Sequence, residues 1–278
     1  MRNQPENRSP GQTKPRLLQV VRATKLTPHM RRITLGGAEI EGFPSGKQGS
    51  HLKLFIPRPG QASPAMPKLT ENGPVWPPAD ERPFVRTYTI RAFNAAAGEL
   101  DIDFVLHGDH GPAAAWAAKA KPGDAVGIAG PGAKGPLPQD AGWYLLVGDE
   151  TALPAISAHL ETLPATARGL ALIEVADAQE IQPLLHPGQF ELRWLLRNGA
   201  PAGHSRLLVE AVLQLTPPAA PIFAWVAAEN SITVTIRNHW RTAWGLARSQ
   251  IEAIPFWKAG ASEESYHEER HRVMDEVA

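Results

Sequence analysis

No cysteine occurs anywhere in the 278 residues. That excludes disulfides, thiolate nucleophiles and iron–sulfur clusters held by cysteine. Redox chemistry in such a chain needs a bound organic cofactor or another kind of metal site. Net charge is absent too, because 28 Lys and Arg balance 28 Asp and Glu. Nothing in that balance marks a general nucleic-acid or membrane-surface binder. No apolar run of about 18 residues suggests a membrane span. The polar, Pro-rich N-terminus lacks the apolar core of a signal peptide, so a soluble cytoplasmic protein with no membrane insertion is expected. The ten His residues are scattered. The one loose approach to a zinc helix motif, His267-Glu268-Glu269-Arg270-His271, sits on a charged tail, and no metal site is assigned.

What is present suggests two domains, since 278 residues exceed a typical small domain and 43% of them are hydrophobic. Residues 1–14 are polar and read as a disordered tail. Leu17–Val21, Met30–Leu35 and His51–Ile56 read as short strands. Residues 57–82 hold seven prolines and read as a long loop. Leu100–His107 alternates, with Leu100, Ile102, Phe104 and Leu106 facing one way and Asp101, Asp103, Val105 and His107 the other. Gly108–Gly111 makes a turn, Pro112–Ala118 a short Ala-rich helix, and Ala125–Ala129 a last strand. Many short strands at this spacing predict an antiparallel β-barrel over 15–137.

The pattern then changes. Trp143–Val147, Leu170–Val175, Leu192–Leu196 and Phe223–Ala227 are continuous apolar strands of the kind buried in a parallel sheet. Helices are expected from Leu153, over 204–214 and over 231–247. This alternation predicts an α/β domain over 138–260, followed by a charged terminal helix over 261–278. In such sheets ligands sit beyond the carboxyl ends of the strands. Those ends carry Gly148-Asp149-Glu150-Thr151, Asp177, Arg197-Asn198-Gly199 and Ala228-Glu229-Asn230.

Chemistry concentrates in Arg82–Arg91, a stretch rich in β-branched and aromatic residues. Alternation puts Arg86, Tyr88 and Ile90 on one face and Thr87, Thr89 and Arg91 on the other. A fixed cation two positions from an aromatic ring suits a ligand that is part anion and part flat ring, such as a flavin dinucleotide. An exposed strand with two solvated arginines is the alternative. Gly111-Pro112-Ala113-Ala114 opens a helix whose free N–H groups favour an anion and whose small side chains admit a phosphate. Gly148-Asp149-Glu150-Thr151 is not the glycine-rich dinucleotide fingerprint, and Asp149 or Thr151 could simply cap a helix. Arg193 and Arg197 are surface charge or a seat for a 2′-phosphate.

These pieces together resemble the ferredoxin–NADP reductase superfamily, and within it the siderophore-interacting proteins, bacterial FAD-dependent ferric-siderophore reductases. The resemblance rests on Arg86-Thr87-Tyr88-Thr89-Ile90-Arg91, Asp103–His107, Gly111–Ala117, Gly130-Pro131, Gly148–Ile156, Trp194–Arg197, Ala227–Glu229 and Phe256–Gly260, in order, across about residues 15–270. It implies that Arg86 holds the FAD phosphates, Tyr88 stacks on the flavin ring and Thr89 lies near its reactive edge. Thr87, Arg91, Asp103, Val105 and His107 line the FAD site, and Gly111, Pro112, Ala113, Ala114 and Ala115 receive the pyrophosphate. Asp149, Thr151, Arg197 and Glu229 serve NADPH or NADH. The chain departs from the family pattern at Phe256, where Tyr is expected, and at Ala228, where Gly is expected. The implied reaction passes electrons from NADPH through FAD to a ferric siderophore, releasing Fe(II), which hard oxygen donors hold far less well than Fe(III). Ferredoxin is a further candidate donor, and a monomer is expected. Lys47, Lys53 and Arg58 are candidate contacts to an anionic chelate. Two other readings stay open: a general NAD(P)H:flavin or ferredoxin-linked reductase, and a siderophore-binding carrier without catalysis.

Overall fold

The computed structural model describes residues 14–71, 73–107, 111–132 and 135–275, the side chains of residues 267, 271 and 275 excepted. Residues 1–13 of the expected tail, most of the turn before Gly111 and the two histidines of the 267–271 motif fall outside that description. The chain divides into two compact units. The first runs to Lys25 and from Met30 to Pro136; the second takes Leu26–His29 and continues from Leu137.

Ten elements build the first unit: β1 (Arg16–Thr27), β2 (Met30–Gly36), β3 (His51–Ile56), β4 (Lys68–Thr70), β5 (Gly73–Val75), β6 (Phe84–Thr89), β7 (Ala92–Asn94), β8 (Glu99–Val105), α1 (Pro112–Lys119) and β9 (Ala125–Ala129). Seven strands make one sheet in the order β6-β3-β9-β1-β2-β8-β7. The sheet curls because its far ends meet. The Arg91 N–H, just past β6, donates to the Asp101 carbonyl of β8 at 3.0 Å, and the Tyr88 ring lies 4.4 Å from Phe104. Alternation drives this closure. Leu52, Leu54 and Ile56 of β3 and Leu100, Ile102 and Phe104 of β8 all point inward and are at most 1% exposed. Leu106 packs against the same core, while His107 is exposed. Ala113 and Ala117 of α1 are four apart, share one helix face and close the open end. Trp116 reaches Phe104 with ring centroids 5.8 Å apart. Arg31 donates to the carbonyls of Ala118 and Ala120, satisfying the end of α1 that would otherwise lack partners.

The Pro-rich stretch 57–82 is not wholly irregular. It carries the β4–β5 hairpin, tightened by Thr70 Oγ1 donating to the Gly73 carbonyl at 2.8 Å. Three-residue strands interrupted by Pro74 leave no readable alternation, which is why the sequence suggested only a loop.

The second unit holds β10 (Trp143–Gly148), α2 (Leu153–Thr162), β11 (Arg168–Val175), β12 (Gln189–Leu196), α3 (Leu207–Leu213), β13 (Ile222–Glu229), α4 (Asn230–Thr242), β14 (Ile251–Trp257) and α5 (Glu263–Asp275). The five strands are parallel in the order β12-β11-β10-β13-β14. Strand β14 escaped sequence reading because Pro255 interrupts it. The proline is tolerated because β14 is an edge strand, with one side free of ladder bonds. Helix α4 stops at Thr242, short of the expected 247; its buried Ile232, Ile236 and Trp240 form an i, i+4, i+8 stripe. No helix among the described residues is long and apolar enough to cross a membrane.

Gly148 ends β10 where no side chain fits. A Cβ there would stand 2.5 Å from the Ala152 Cβ and 2.9 Å from the Ala227 carbonyl. The Gly148→Ala variant should therefore lose about 1–3 kcal/mol through overpacking against backbone. A lower urea midpoint measures it; an unchanged midpoint would mean the β10–α2 turn relaxes freely.

Candidate functional site

Strand β6 aligns three side chains along one face. Phe84, Arg86 and Tyr88 stand opposite Ile56, Leu54 and Leu52 of β3. The face is core-side, yet β6 is the sheet's edge, so all three side chains stay only half-buried. Arg86 donates Nη1 to its neighbour's carbonyl, Val85 O, at 2.8 Å, and its guanidinium carbon lies 6.0 Å from the Phe84 ring centroid. On the opposite face Thr87 Oγ1 accepts a 2.6 Å bond from Lys53 Nζ, and Thr89 is buried across from His51.

Asp103 is 6% exposed and fully engaged inside the unit. Arg32 donates Nε to Oδ1 at 2.7 Å and Nη2 to Oδ2 at 2.8 Å, and Arg91 Nε stands 3.9 Å from Oδ2. The bidentate partner of Asp103 is thus Arg32, with Arg91 beside the pair. Val105 ends β8, half-buried. The His107 ring lies beside Gly111: a Cβ on that glycine would be 3.5 Å from His107 Cε1.

Gly111 is the N-cap of α1 and offers no side-chain cap, and Pro112 at the first position has no N–H to satisfy. Ala113 and Ala114 follow, and the Ala115 N–H is the first to bond back, to the Gly111 carbonyl at 2.9 Å. Amide donors without a side-chain cap, flanked only by small residues, are the donor set that a phosphate requires. An aromatic ring, a guanidinium and this helix start, all within the first unit, fit a flavin dinucleotide.

In the second unit the strand order reverses between β10 and β13, and ligands of open parallel sheets bind outside that point. Asp149 sits there, 4% exposed. Its Oδ1 accepts from the Thr151 N–H at 2.9 Å and the Thr151 hydroxyl at 2.6 Å. Its Oδ2 accepts from the Glu229 N–H at 3.1 Å and from Trp257 Nε1 at 2.8 Å. Glu229 is likewise consumed: Oε2 takes the Ser231 N–H at 2.6 Å and the Ile232 N–H at 3.4 Å as the cap of α4, and Oε1 takes the Ala259 N–H at 3.3 Å. Gly203 completes the enclosure. With φ +76° and its would-be Cβ 2.7 Å from Trp257, only glycine lets the 198–206 loop lie on that indole.

Arg197, at the carboxyl end of β12, has a side chain only 5% exposed. Nη2 meets both Glu150 oxygens at 3.0 Å, and Nη1 forms an ion pair with Glu174 at 3.5 Å, too long for a hydrogen bond. The sequence reading missed Glu150 and Glu174 as partners. Glu174 was visible as a charge inside the apolar strand Leu170–Val175, a pattern that asks for a buried counterion. Trp257 as a donor to Asp149 carried no sequence signal, because 108 residues separate them. Among the described residues no cluster of three or more His, Cys, Asp or Glu could hold a metal.

Burial pushes the carboxyls of Asp149, Glu150 and Glu174 above their ordinary values. Hydrogen bonds from Thr151 and Trp257 offset this at Asp149, Arg197 offsets it at Glu150, and Ser205 followed by Arg197 does so at Glu174. A raised native pKa means that the native state holds protons which the unfolded chain releases near pH 4. Stability from these groups is therefore full below about pH 4 and is lost as pH rises through their native values. Glu174→Gln removes one of them, so its melting temperature relative to wild type should climb between about pH 4 and 8. A difference that stays flat or falls would show that Glu174 is ionised in the native protein throughout.

Comparisons with known proteins bear on the family and the fold. Residues 19–135 match the family model of the siderophore-interacting FAD-binding domain, and residues 141–260 match that of the siderophore-interacting protein. The ferric vibriobactin reductase of Vibrio cholerae is 41% identical over 264 residues, covering 94% of this chain and 96% of the relative. The NADPH-dependent ferric-chelate reductase of Escherichia coli is 34% identical over 248 residues, covering 88% of this chain and 93% of the relative. The crystal structure of the siderophore-interacting protein from Aeromonas hydrophila superposes with a TM-score of 0.81 at 41% identity, over 96% of this chain and all of that one. A ferredoxin NADP+ reductase from Neisseria gonorrhoeae, at 15% identity and a TM-score of 0.58 over 88% of this chain and 99% of that one, shares the fold. The antiparallel half-barrel followed by a five-stranded parallel sheet, together with these matches, places the chain in the siderophore-interacting protein family.

Proposed function

We propose that the chain is an FAD-dependent ferric-siderophore reductase that draws electrons from NADPH or NADH and acts in the cytoplasm. The observation that carries the reading is the row Arg86–Tyr88 on an edge strand, in the same unit as a helix start without a side-chain cap. Relatives named as ferric-chelate reductases, matched along most of their length, support it. Bound FAD would supply the step that converts a two-electron donor into single electrons for chelated Fe(III).

The chain's own residues hold and orient. Arg86, with the Ala113 and Ala114 N–H groups at the Gly111–Ala115 helix start, fixes the phosphates. Tyr88, itself braced on Phe104, offers its ring to the flavin, and Thr89 stands at the next position along the strand. Arg91 stands beside the Arg32–Asp103 pair, Val105 and His107 complete the lining, and Thr87 joins it from the opposite face of β6, where Lys53 holds its hydroxyl. In the second unit Asp149, Thr151 and Glu229 form the frame of the dinucleotide crevice, with Trp257 as its aromatic wall. Arg197 acts on that crevice through Glu150, which it orients, because both of its terminal nitrogens face carboxylates. That pairing favours a donor whose recognition does not hinge on an Arg197–phosphate contact. NADH, or reduced ferredoxin, then remains an alternative to NADPH.

The test uses purified protein. It should be yellow, with one FAD per chain; anaerobic NADPH or NADH should bleach it, and a ferric siderophore with a ferrous trap should restore the colour and yield Fe(II). A protein that takes up no FAD sinks the reading, and one that reoxidises with free flavins but never with ferric chelates makes it a general reductase. Arg86→Ala should cost a charge-assisted contact of about 1.5–3 kcal/mol, tenfold to over a hundredfold in FAD affinity, with the melting temperature of the apoprotein unchanged. Full flavin occupancy in that variant would remove Arg86 from the phosphate site.

A further inference from the structure

Strand β6 works as a ruler. At about 3.3 Å per residue, Tyr88, Arg86 and Phe84 mark successive steps of about 6.6 Å along one face. A flavin ring at Tyr88 puts its nearer phosphate at Arg86, and anything longer than a mononucleotide continues toward Phe84.

A second cation waits there. Arg58 lies two residues past β3, and its guanidinium carbon stands 5.1 Å from the Phe84 ring centroid, against 6.0 Å for Arg86. The phenyl ring thus carries two guanidiniums and neutralises neither. Arg58 is half-buried and fixed by neutral groups: Nε donates to the Arg82 carbonyl at 2.7 Å and Nη2 to the Ala79 carbonyl at 3.1 Å. Its Nη1 has no acceptor among the described residues. Arg82, exposed beside it, donates only to the Pro77 carbonyl at 2.9 Å. The acids of this stretch, Glu71, Asp80 and Glu81, are exposed, and among the described residues none forms an ion pair with either arginine. Other arginines of this unit are answered by carboxylates, as Arg22 is by Glu99 and Arg32 by Asp103, or by carbonyls alone, as Arg16 is by three and Arg31 by two; what sets Arg58 apart is its place beside Phe84, one step along β6 from Arg86. An ordered, uncompensated guanidinium with a donor to spare, one step beyond the first phosphate ligand, is an oxyanion seat.

We infer that Arg58 receives the adenylate phosphate of the flavin dinucleotide and so selects FAD over FMN. The inference rests on the flavin reading above and adds to it a residue and a specificity. An anionic ferric chelate offers the same oxyanion chemistry, and the experiment separates the two.

Flavin-stripped protein is titrated with FAD and with FMN, following flavin fluorescence, for wild type, Arg58→Gln, Arg58→Lys and Arg82→Gln. Arg58→Gln should weaken FAD about tenfold or more and leave FMN within about twofold, the loss of one charge-assisted contact. Arg58→Lys, which keeps charge but loses the planar fork, should fall between. Arg82→Gln, which leaves the Phe84 stack in place, should bind both flavins within about twofold of wild type and so controls for general loosening of the 57–82 loop. Equal losses of FAD and FMN in Arg58→Gln would overturn the assignment and leave Arg58 a loop anchor. Unchanged FAD affinity with a raised Michaelis constant for a ferric siderophore would overturn it in favour of the chelate. Wild-type protein that binds neither flavin would defeat the flavin reading itself, an outcome distinct from both.

Discussion

Asp149 is the constraint on which the second unit turns. A carboxylate with 4% exposure is costly unless its oxygens are satisfied, and desolvation alone would keep it protonated or unfold its surroundings. Four donors converge on it, from the α2 turn, from the end of β13 and from the end of β14. At about 0.5–1.5 kcal/mol net each, they offset part of the burial, and the carboxyl stays above its ordinary value. The consequence is geometric. Three strand ends that share no sequence neighbourhood are pinned to one atom pair, at the point where the sheet reverses direction. Glu229 repeats the device one strand over, capping α4 with one oxygen and holding the Ala259 amide with the other. The crevice is rigid because its acids are spent on its own frame.

The first unit reaches rigidity by the opposite means. Its closure is apolar, with Tyr88, Phe104 and Trp116 in a chain of ring contacts and alanines of α1 inserted beneath. Its charges are arranged at the rim in two kinds. Some arginines are cancelled by carboxylates, as at Asp103, and hold structure. Others lean on carbonyls or on a phenyl ring and keep their charge.

How much of this could be read in the chain follows from the range of the interactions. The alternation in Leu100–Leu106 and the apolar runs at β10, β11 and β13 are local, and the strands they announce are where they were expected. The β6 face was legible for the same reason, since positions two apart must share a side. The partners of Asp149 and Arg197 were not legible: Trp257 and Glu150 lie 108 and 47 residues away, and no spacing rule connects them. Arg197 read as a possible phosphate ligand because an arginine at a strand end looks alike whether it meets a phosphate or a buried carboxylate. Strand β14 and the β4–β5 hairpin were hidden by proline, which erases the local pattern without preventing an edge pairing.

Pro255 has a meaning beyond its effect on pattern. A five-stranded parallel sheet ends in two unpaired edges, each able to recruit a strand from another copy during folding. On the β14 side the proline removes one ladder donor, and the register shifts against β13 between Ala228 and Glu229. A border with a missing N–H and a local twist is a poor template for a further strand. The irregularity that conceals β14 from a reader of the sequence also disfavours strand addition at that border.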